Sequence, residues 1–380
     1  MGVLSGVRIV ELAGIGPGPF CGMLLADLGA DVIVVERPSP SGSQDTPRPG
    51  ALTQRGKRSI EVDLKSPEGA QVVLRLLKDA DALIEGMRPG VMERLGLSPQ
   101  ACLEVNPGLI YGRMTGWGQT GPLAQAAGHD SNYLSLSGAM WWSAMPGETP
   151  NVAPTLIGDL GGGALYLAVG ILAGILRVRA GGKGQVVDAA IIDGAAHLTN
   201  LLLAVTARHG GDFVKARSAF QMPHWTGSYC CADGEYIRLA SLEPQFYTVL
   251  LQKLGLADDP DFVSSQHVPE AWPALRARLQ ALFLQRTRQE WCDVLEGSDA
   301  CFAPVLNPRE ASEHPHNDMR KNYLNIDGVL QAAPAPRFSV TPSDQPGRIR
   351  PSGADADEIL LEAGYSGAAI VDFKQRGVIS

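Results

Sequence analysis

The stretch VRIVELAGIGPGPFCGMLLADLGADVIVV, residues 7–35, decides the fold. Residues 7–12 are β-rich, residues 20–28 carry apolar side chains at helical spacing, and residues 31–35 form a short apolar run before Arg37-Pro38. Strand, helix and strand in this order form a βαβ unit, and such units build an α/β fold around a parallel sheet. The turn GIGPGPFCG has glycines at 14, 16, 18 and 22, which is not the G-x-G-x-x-G spacing of a dinucleotide fingerprint, and two prolines interrupt it. Glu36 closes the second strand as a ribose-binding acid would, so a nucleotide-binding dehydrogenase stays open at this point.

Working outward, residues 38–56 are rich in Pro, Ser and Gly and read as a long loop, which closes on Gln54-Arg55-Gly56-Lys57-Arg58. A strand follows at residues 59–64. Ser66-Pro67-Glu68 then supplies an N-cap, a proline at the first helical position and an early acid for a helix to about Lys78. The next strand, residues 82–85, runs into Gly86-Met87-Arg88-Pro89-Gly90 and a short helix containing Arg94. Arg88 and Arg94 thus lie past the C-terminal end of a strand, where open α/β sheets bind ligands. Phosphate binding and solvated surface charge are equal readings for both.

Residues 109–114 form another strand, and the loop after it leads to Gly128-His129-Asp130. Further on, Gly158-Asp159-Leu160-Gly161-Gly162-Gly163 opens an uncharged run ending at Leu176. Asp159 therefore occupies the expected N-cap of a buried helix, where free N–H groups and the helix dipole favour negative charge. His129 exchanges a proton near neutral pH, and Asp159 does so once its environment shifts it. The pair suggests proton transfer at a carbon whose charge is held by N–H groups at the Asp159 helix start. The alternatives are an Asp that only caps a helix and a His that only packs. Asp188 and Asp193, read on a strand at residues 184–192 and its end, compete with Asp159 but open no glycine-rich helix. Between the two candidates, Met140-Trp141-Trp142-Ser143-Ala144-Met145 before the Pro146-Gly147 turn is an apolar patch suited to a fatty or steroidal group, or to a core.

The 380 residues are 45% hydrophobic and 19% charged, enough for two domains with real cores. A net charge of −8 argues against nucleic acid as a partner while leaving room for a local basic pocket. The six cysteines show no C-x-x-C spacing, so they read as reduced thiols with no metal site. The N-terminus enters a strand without a secretory signal, which makes the cytoplasm the default location. Residues 160–176 are too short and too glycine-rich for a transmembrane span.

Residues 206–220 lose periodicity and read as a linker. A second region begins near Tyr229, where an Ala232-Asp233-Gly234 turn joins two β-like runs. The second run ends at Ser241-Leu242-Glu243-Pro244, where Glu243 would cap a helix. Helices are expected at residues 272–283 and from the Thr287–Glu290 capping box to about Leu295, with a strand at residues 301–306. His314 and His316 are too sparse for a metal site. Residues 334–351 are Pro-rich and extended, and residues 359–373 hold one helical turn pattern or two.

The segments IVELAGIGPGPFCGMLLADLGADVIVVERP, RGKRSIEVDLK, GRMTGWGQTGPLAQAAGHDSNYLSLSG, GDLGGG and EPQFY resemble, in order and over nearly the whole chain, α-methylacyl-CoA racemases of the family III CoA-transferase superfamily. The resemblance implies an interlocked homodimer of α/β subunits, each with a large Rossmann-like domain and a small α+β domain. Its boundaries here are a large domain at 1–205, a linker at 206–228, a small domain at 229–320 and a segment at 321–380 returning to the large domain. It implies racemisation of 2-substituted acyl-CoA thioesters through an enolate, with His129 and Asp159 as acid/base groups. Glu243 pairs with the His from the partner subunit, and Arg37, Arg55, Lys57, Arg88 and Arg94 hold CoA. No metal or separate cofactor is implied, since CoA is part of the substrate. Transferases of the superfamily instead use the matching Asp as a nucleophile. They typically carry a glycine-rich loop where this chain has Ser241-Leu242-Glu243-Pro244, and need no His at the GHD position. Trp141-Trp142 and Met222-Pro223-His224-Trp225 are bulkier and more polar than the racemase pattern near the acyl group.

Overall fold

The computed structural model of the chain describes residues 2–38, 51–144, 148–208, 210–211, 213 and 222–380. Most of the expected loop at 38–56, the Pro146-Gly147 turn and most of the expected linker therefore lie outside the described residues. The chain forms two compact units: Met1–Met140, Val152–Ala204 and Leu324–Ser380 make the first, and Trp141–Asn151 and Val205–Tyr323 the second.

In chain order the first elements are β1 (Arg8–Leu12), α1 (Pro17–Asp27), β2 (Asp31–Glu36), β3 (Arg58–Glu61), α2 (Pro67–Leu77), β4 (Ala82–Glu85), α3 (Val91–Arg94), α4 (Pro99–Val105), β5 (Ile110–Thr115) and α5 (Asp130–Ser137). A π-helical segment, Leu156–Ala164, continues into α6 (Leu165–Arg179), followed by β6 (Gln185–Ala190), α7 (Ile191–Leu198) and α8 (Asn200–Arg208). Six parallel strands lie in the order β3-β2-β1-β4-β5-β6, so the strand order reverses between β1 and β4. Near-continuous apolar runs such as Val32–Val35 suit this sheet because helices cover both faces. Val10, Ile33, Leu83 and Tyr111 pack on one side with Val73 and Leu77 of α2, while Ile9, Val32, Ile84 and Ile110 pack on the other with Leu25, Leu167 and Ile171. Each such fully buried aliphatic side chain contributes about 1.5–3 kcal/mol.

Helix α1 starts at Pro17, earlier than the apolar spacing suggests, because proline presets φ and has no N–H to lose in a first turn. The two prolines that interrupt a dinucleotide fingerprint are thus a helix start. In α2 the Ser66 hydroxyl accepts the Gly69 N–H at 2.9 Å, as its sequence signature requires. Strand β6 stops at Ala190, and Asp193 sits on α7 instead, where Ile191 and Ala195 recur at helical spacing and are buried. Helix α8 extends to Arg208, past the expected start of the linker. The segment Leu156–Arg179 is long and apolar enough to cross a membrane, yet Leu167, Ala168, Ile171 and Ile175 belong to the core against the sheet.

The second part of the chain contains β7 (Thr226–Cys230), β8 (Tyr236–Ala240), α9 (Pro244–Leu254), α10 (Pro260–Ser264), α11 (Trp272–Phe283), α12 (Arg288–Leu295), β9 (Phe302–Pro304), α13 (Pro308–Glu313) and α14 (Pro315–Arg320). Strands β7, β8 and β9 form an antiparallel sheet, its first hairpin turning at Gly234 with φ 81°. Trp225, Tyr229, Leu250, Phe262, Phe283 and Trp291 fill the core beneath it. The chain ends with β10 (Tyr323–Ile326) paired to β11 (Val329–Ala332), then α15 (Ala356–Glu362) and α16 (Gly367–Gln375), whose Ile359, Leu360 and Ile370 join the first unit's core.

Candidate active site

A cleft of about 700 Å³ opens in the first unit at the C-terminal ends of the parallel strands. Its walls come from the turn after β1, including Ile15 and Gly16, from Glu36 at the end of β2 and Arg37 after it, from Met87 and Arg88 after β4, and from Trp117 after β5. His129 and Asp159 both face it. A doubly wound sheet leaves such a crevice where its strand order reverses, because neighbouring connections depart to opposite faces there.

His129 is the N-cap residue of α5 and is exposed, and Asn132 Oδ1 accepts its backbone N–H at 3.0 Å. The loop that delivers it is packed rather than free: the Tyr133 hydroxyl donates to the Gly128 carbonyl, and the Tyr133 ring meets Trp117 edge-on at 4.7 Å between centroids. Asp188, within β6, accepts the Gln119 N–H at 3.1 Å, so this carboxylate anchors the same loop.

Asp159 is not the N-cap that the sequence suggests. The cap is Thr155, with φ 64°, and Asp159 lies within the first turn of the π-helical segment. Its own N–H donates to Asp130 Oδ1 at 2.8 Å, while Thr155 N–H donates to Asp130 Oδ2 at 3.2 Å. The buried Asp130 carboxylate therefore does the capping, from the first residue of α5. Gly158 makes this possible, since a Cβ there would stand 2.3 Å from Asp130 Oδ1. The expected oxyanion donor at Asp159 is thus already engaged. Helix α5, which starts directly after His129, brings the other helix N-terminus to this corner of the site.

Asp130 was missed in the sequence because it reads only as the third letter of Gly-His-Asp. Its effect is electrostatic as well as geometric. Burial first, and then the nearby Asp130 charge, push the Asp159 carboxyl up to about 6, with His129 pulling the other way. Asp159 in turn helps to hold the Tyr133 phenol above its ordinary range, after burial, while Arg88 opposes it. A carboxyl near 6 both accepts and returns a proton close to neutrality. In Asp130→Asn the limb of the activity profile belonging to Asp159 is expected to move below 6, read from the pH dependence of kcat.

The basic residues separate into two groups. Arg37 and Arg88 are exposed, line the cleft and form no ion pair among the described residues; Arg94, on α3, is exposed but does not line it. Arg55 and Lys57 do not fit the CoA-binding role given to them. Arg55 is 4% exposed and donates to Asp27, to Gln331 Oε1 at 2.9 Å and to the Ala332 carbonyl at 2.8 Å. Lys57 is 2% exposed and paired with Glu11 at 2.6 Å. Burial in ion pairs leaves neither cation accessible to a phosphate.

Glu243, in the second unit, holds the N-cap position of α9 without a side-chain capping bond, and its side chain is exposed. His224 is fully buried in that unit's own core, with Nε2 2.6 Å from the Tyr247 hydroxyl, and burial depresses its pKa to about 4. Trp225 is buried beside it, its Nε1 donating to the Gln266 carbonyl at 2.7 Å. Both are core residues and not the polar acyl contacts that their bulk suggests.

Residues 4–355 match CoA-transferase family III. The chain belongs to this family. It is 38% identical to the alpha-methylacyl-CoA racemase of Mus musculus over 384 residues, covering 99% of this chain and 97% of the relative. Its identity to the alpha-methylacyl-CoA racemase of Homo sapiens is also 38%, with the same coverages. A CAIB/BAIF family protein of Brucella suis has the same fold, with a TM-score of 0.79 at 29% identity, over 95% of this chain and 99% of that one. The open dehydrogenase reading is overturned by this membership, and in this chain His129 of Gly-His-Asp and Asp159 of Gly-Asp-Leu-Gly-Gly-Gly border one cleft.

Proposed function

We propose that the chain is a racemase of 2-substituted, 2-methylacyl-type acyl-CoA thioesters, working by two-base proton transfer at the α-carbon. The observation that carries this is the Asp130 bridge, which fastens the start of α5, carrying His129, to the segment carrying Asp159 on one cleft. One of the two groups takes the α-proton from one face, the electron pair of the broken C–H bond moves into the thioester as an enolate, and the other group returns a proton to the opposite face. Each positioned acid/base group is worth about 10²- to 10⁴-fold in rate. The N-terminal turn of α5 is the candidate donor to the enolate oxygen, a contribution of about 10²- to 10³-fold for one such group. The chemistry so written uses protein groups only, with CoA arriving as part of the substrate. Exchange of the α-hydrogen for deuterium in heavy water, without any acceptor acid, tests this reading against CoA transfer through Asp159.

Arg37 and Arg88 are the cations suited to the CoA phosphates, since their charges are exposed in the cleft. Arg88→Glu is expected to weaken CoA-ester binding on the order of 10- to 10²-fold at low salt, with the loss shrinking as salt rises and the fold intact. Calorimetric titration that finds unchanged affinity removes Arg88 from the site.

The working unit is a homodimer in this reading. Leu156, Ile157, Leu165, Val169, Leu198 and Leu201, all on the helices of the first unit, are 42–68% exposed and would offer an apolar face to a second copy. Glu243 would reach His129 from the partner subunit and orient its ring.

A further inference from the structure

The buried Lys57–Glu11 pair takes no part in the chemistry above, yet it is the most completely enclosed ion pair described in the first unit, with side chains 1% and 0% exposed. Lys57 Nζ donates to Glu11 Oε2 at 2.6 Å and to the Pro19 carbonyl at 2.9 Å. Glu11 Oε1 has no hydrogen-bond partner, and burial raises the carboxyl's pKa against the pull of Lys57. The pair presses directly on α1: a Cβ at Gly22 would stand 1.8 Å from Glu11 Oε2. As a stability device this is a poor choice, because desolvating two charges costs about as much as their attraction returns.

What the pair does hold is the first turn of α1. Gly16, Pro17 and Pro19 of that turn line the cleft. The position of a Gly16 Cβ is 3.5 Å from Asp159 Oδ2, and that of a Gly163 Cβ is 3.4 Å from the Pro17 Cβ. The turn is therefore the wall on which the Asp159 segment rests. We propose that Lys57 and Glu11 are positioning residues for proton transfer: Lys57, held by Glu11 of β1, grips the Pro19 carbonyl in the first turn of α1, and the pair so sets the Gly16–Pro17 wall that fixes the Asp159 carboxylate in the cleft. This rests on Asp159 being a proton-transfer group.

Charged and titratable groups near Asp159 are Asp130 and His129, with Tyr133 and, through it, Arg88. None of them is altered by changing Lys57 or Glu11. The positive end of α1 lies beside Asp159, so a displaced first turn removes support for the carboxylate and raises its pKa.

The test is the double variant Glu11→Met/Lys57→Met, which replaces the buried pair by apolar side chains and is expected to fold with its melting temperature held. Its kcat for α-hydrogen exchange should fall about 10²-fold, as a misplacement of about 1 Å costs. KM should change little, and the limb of the pH profile near 6 should move up. Gly22→Ala, which strikes the same pair from the other side, should move the limb in the same direction. Unchanged kcat and limb overturn the proposal, and so does a double variant that fails to fold, because the pair is then a stability device. Asp159→Asn keeps the two failures apart: if it still exchanges, the reading of Asp159 is wrong, whereas if it is inactive while the double variant equals wild type, only the positioning role is lost.

Discussion

Asp159→Asn and His129→Ala are each expected to slow wash-in of one deuterium at the α-carbon of a 2-substituted acyl-CoA by about 10²- to 10⁴-fold. A two-base racemase passes through a planar enolate, so exchange needs no acceptor acid, whereas a transferase needs no exchange. The Asn variant is also expected to remain folded. Because burial and Asp130 raise the Asp159 pKa in the folded protein, from 3.8 to about 6, the folded state binds this proton more tightly than the unfolded one. The associated stability is present below the unfolded value and is lost as the pH rises through about 6, so removing the charge relieves a cost at neutral pH. Mass spectrometry of the recovered thioester reads the exchange. If hydroxylamine instead traps an acyl-enzyme and inactivates the protein in the presence of substrate, with CoA transfer but no exchange, Asp159 is a nucleophile and the racemase reading falls.

The parallel sheet was legible in the sequence because its signals are local: apolar strands, a Ser-Pro-Glu helix start after β3, and glycines between elements. His129 and Asp159 were legible as candidates for the same reason, each marked by its neighbours. Asp130 was not, since its role depends on meeting Thr155 and Asp159 through space, 25 and 29 residues further along the chain. Arg55 and Lys57 failed in the opposite direction. A run of basic residues after a loop looks like a phosphate site, and only the fold shows that Asp27 and Glu11 neutralise two of them internally. Arg58, the first residue of β3, is likewise committed, to Asp31 and Glu362. The helix boundary at Asp159 shifted because the segment winds as a π-helix, whose wider turn leaves no mark in the apolar periodicity.

Glu243→Ala is expected to lower racemisation about 10²- to 10⁴-fold when both subunits carry it, if the His129 ring depends on that carboxylate for its orientation as proposed. The decisive result comes from dimers made of one Glu243→Ala chain and one Asp159→Ala chain, co-expressed with different tags and purified through both. If each site takes His129 and Asp159 from one subunit and Glu243 from the other, one site in the mixed dimer combines all three intact residues and the other lacks two. Such a dimer is expected to regain about half of wild-type activity, since a two-fold dimer has two equivalent sites. If Glu243 serves the site of its own chain, each site lacks one residue and the mixed dimer stays as inactive as its parents. The chain's own features fit the crossed arrangement: Glu243 is exposed and its side chain makes no capping bond to α9. Leu165, Val169 and Leu201, 45%, 65% and 68% exposed, would supply the apolar face for the proposed second copy. A fully active monomer in dilute solution, or mixed dimers without activity, would remove Glu243 from the partner's site.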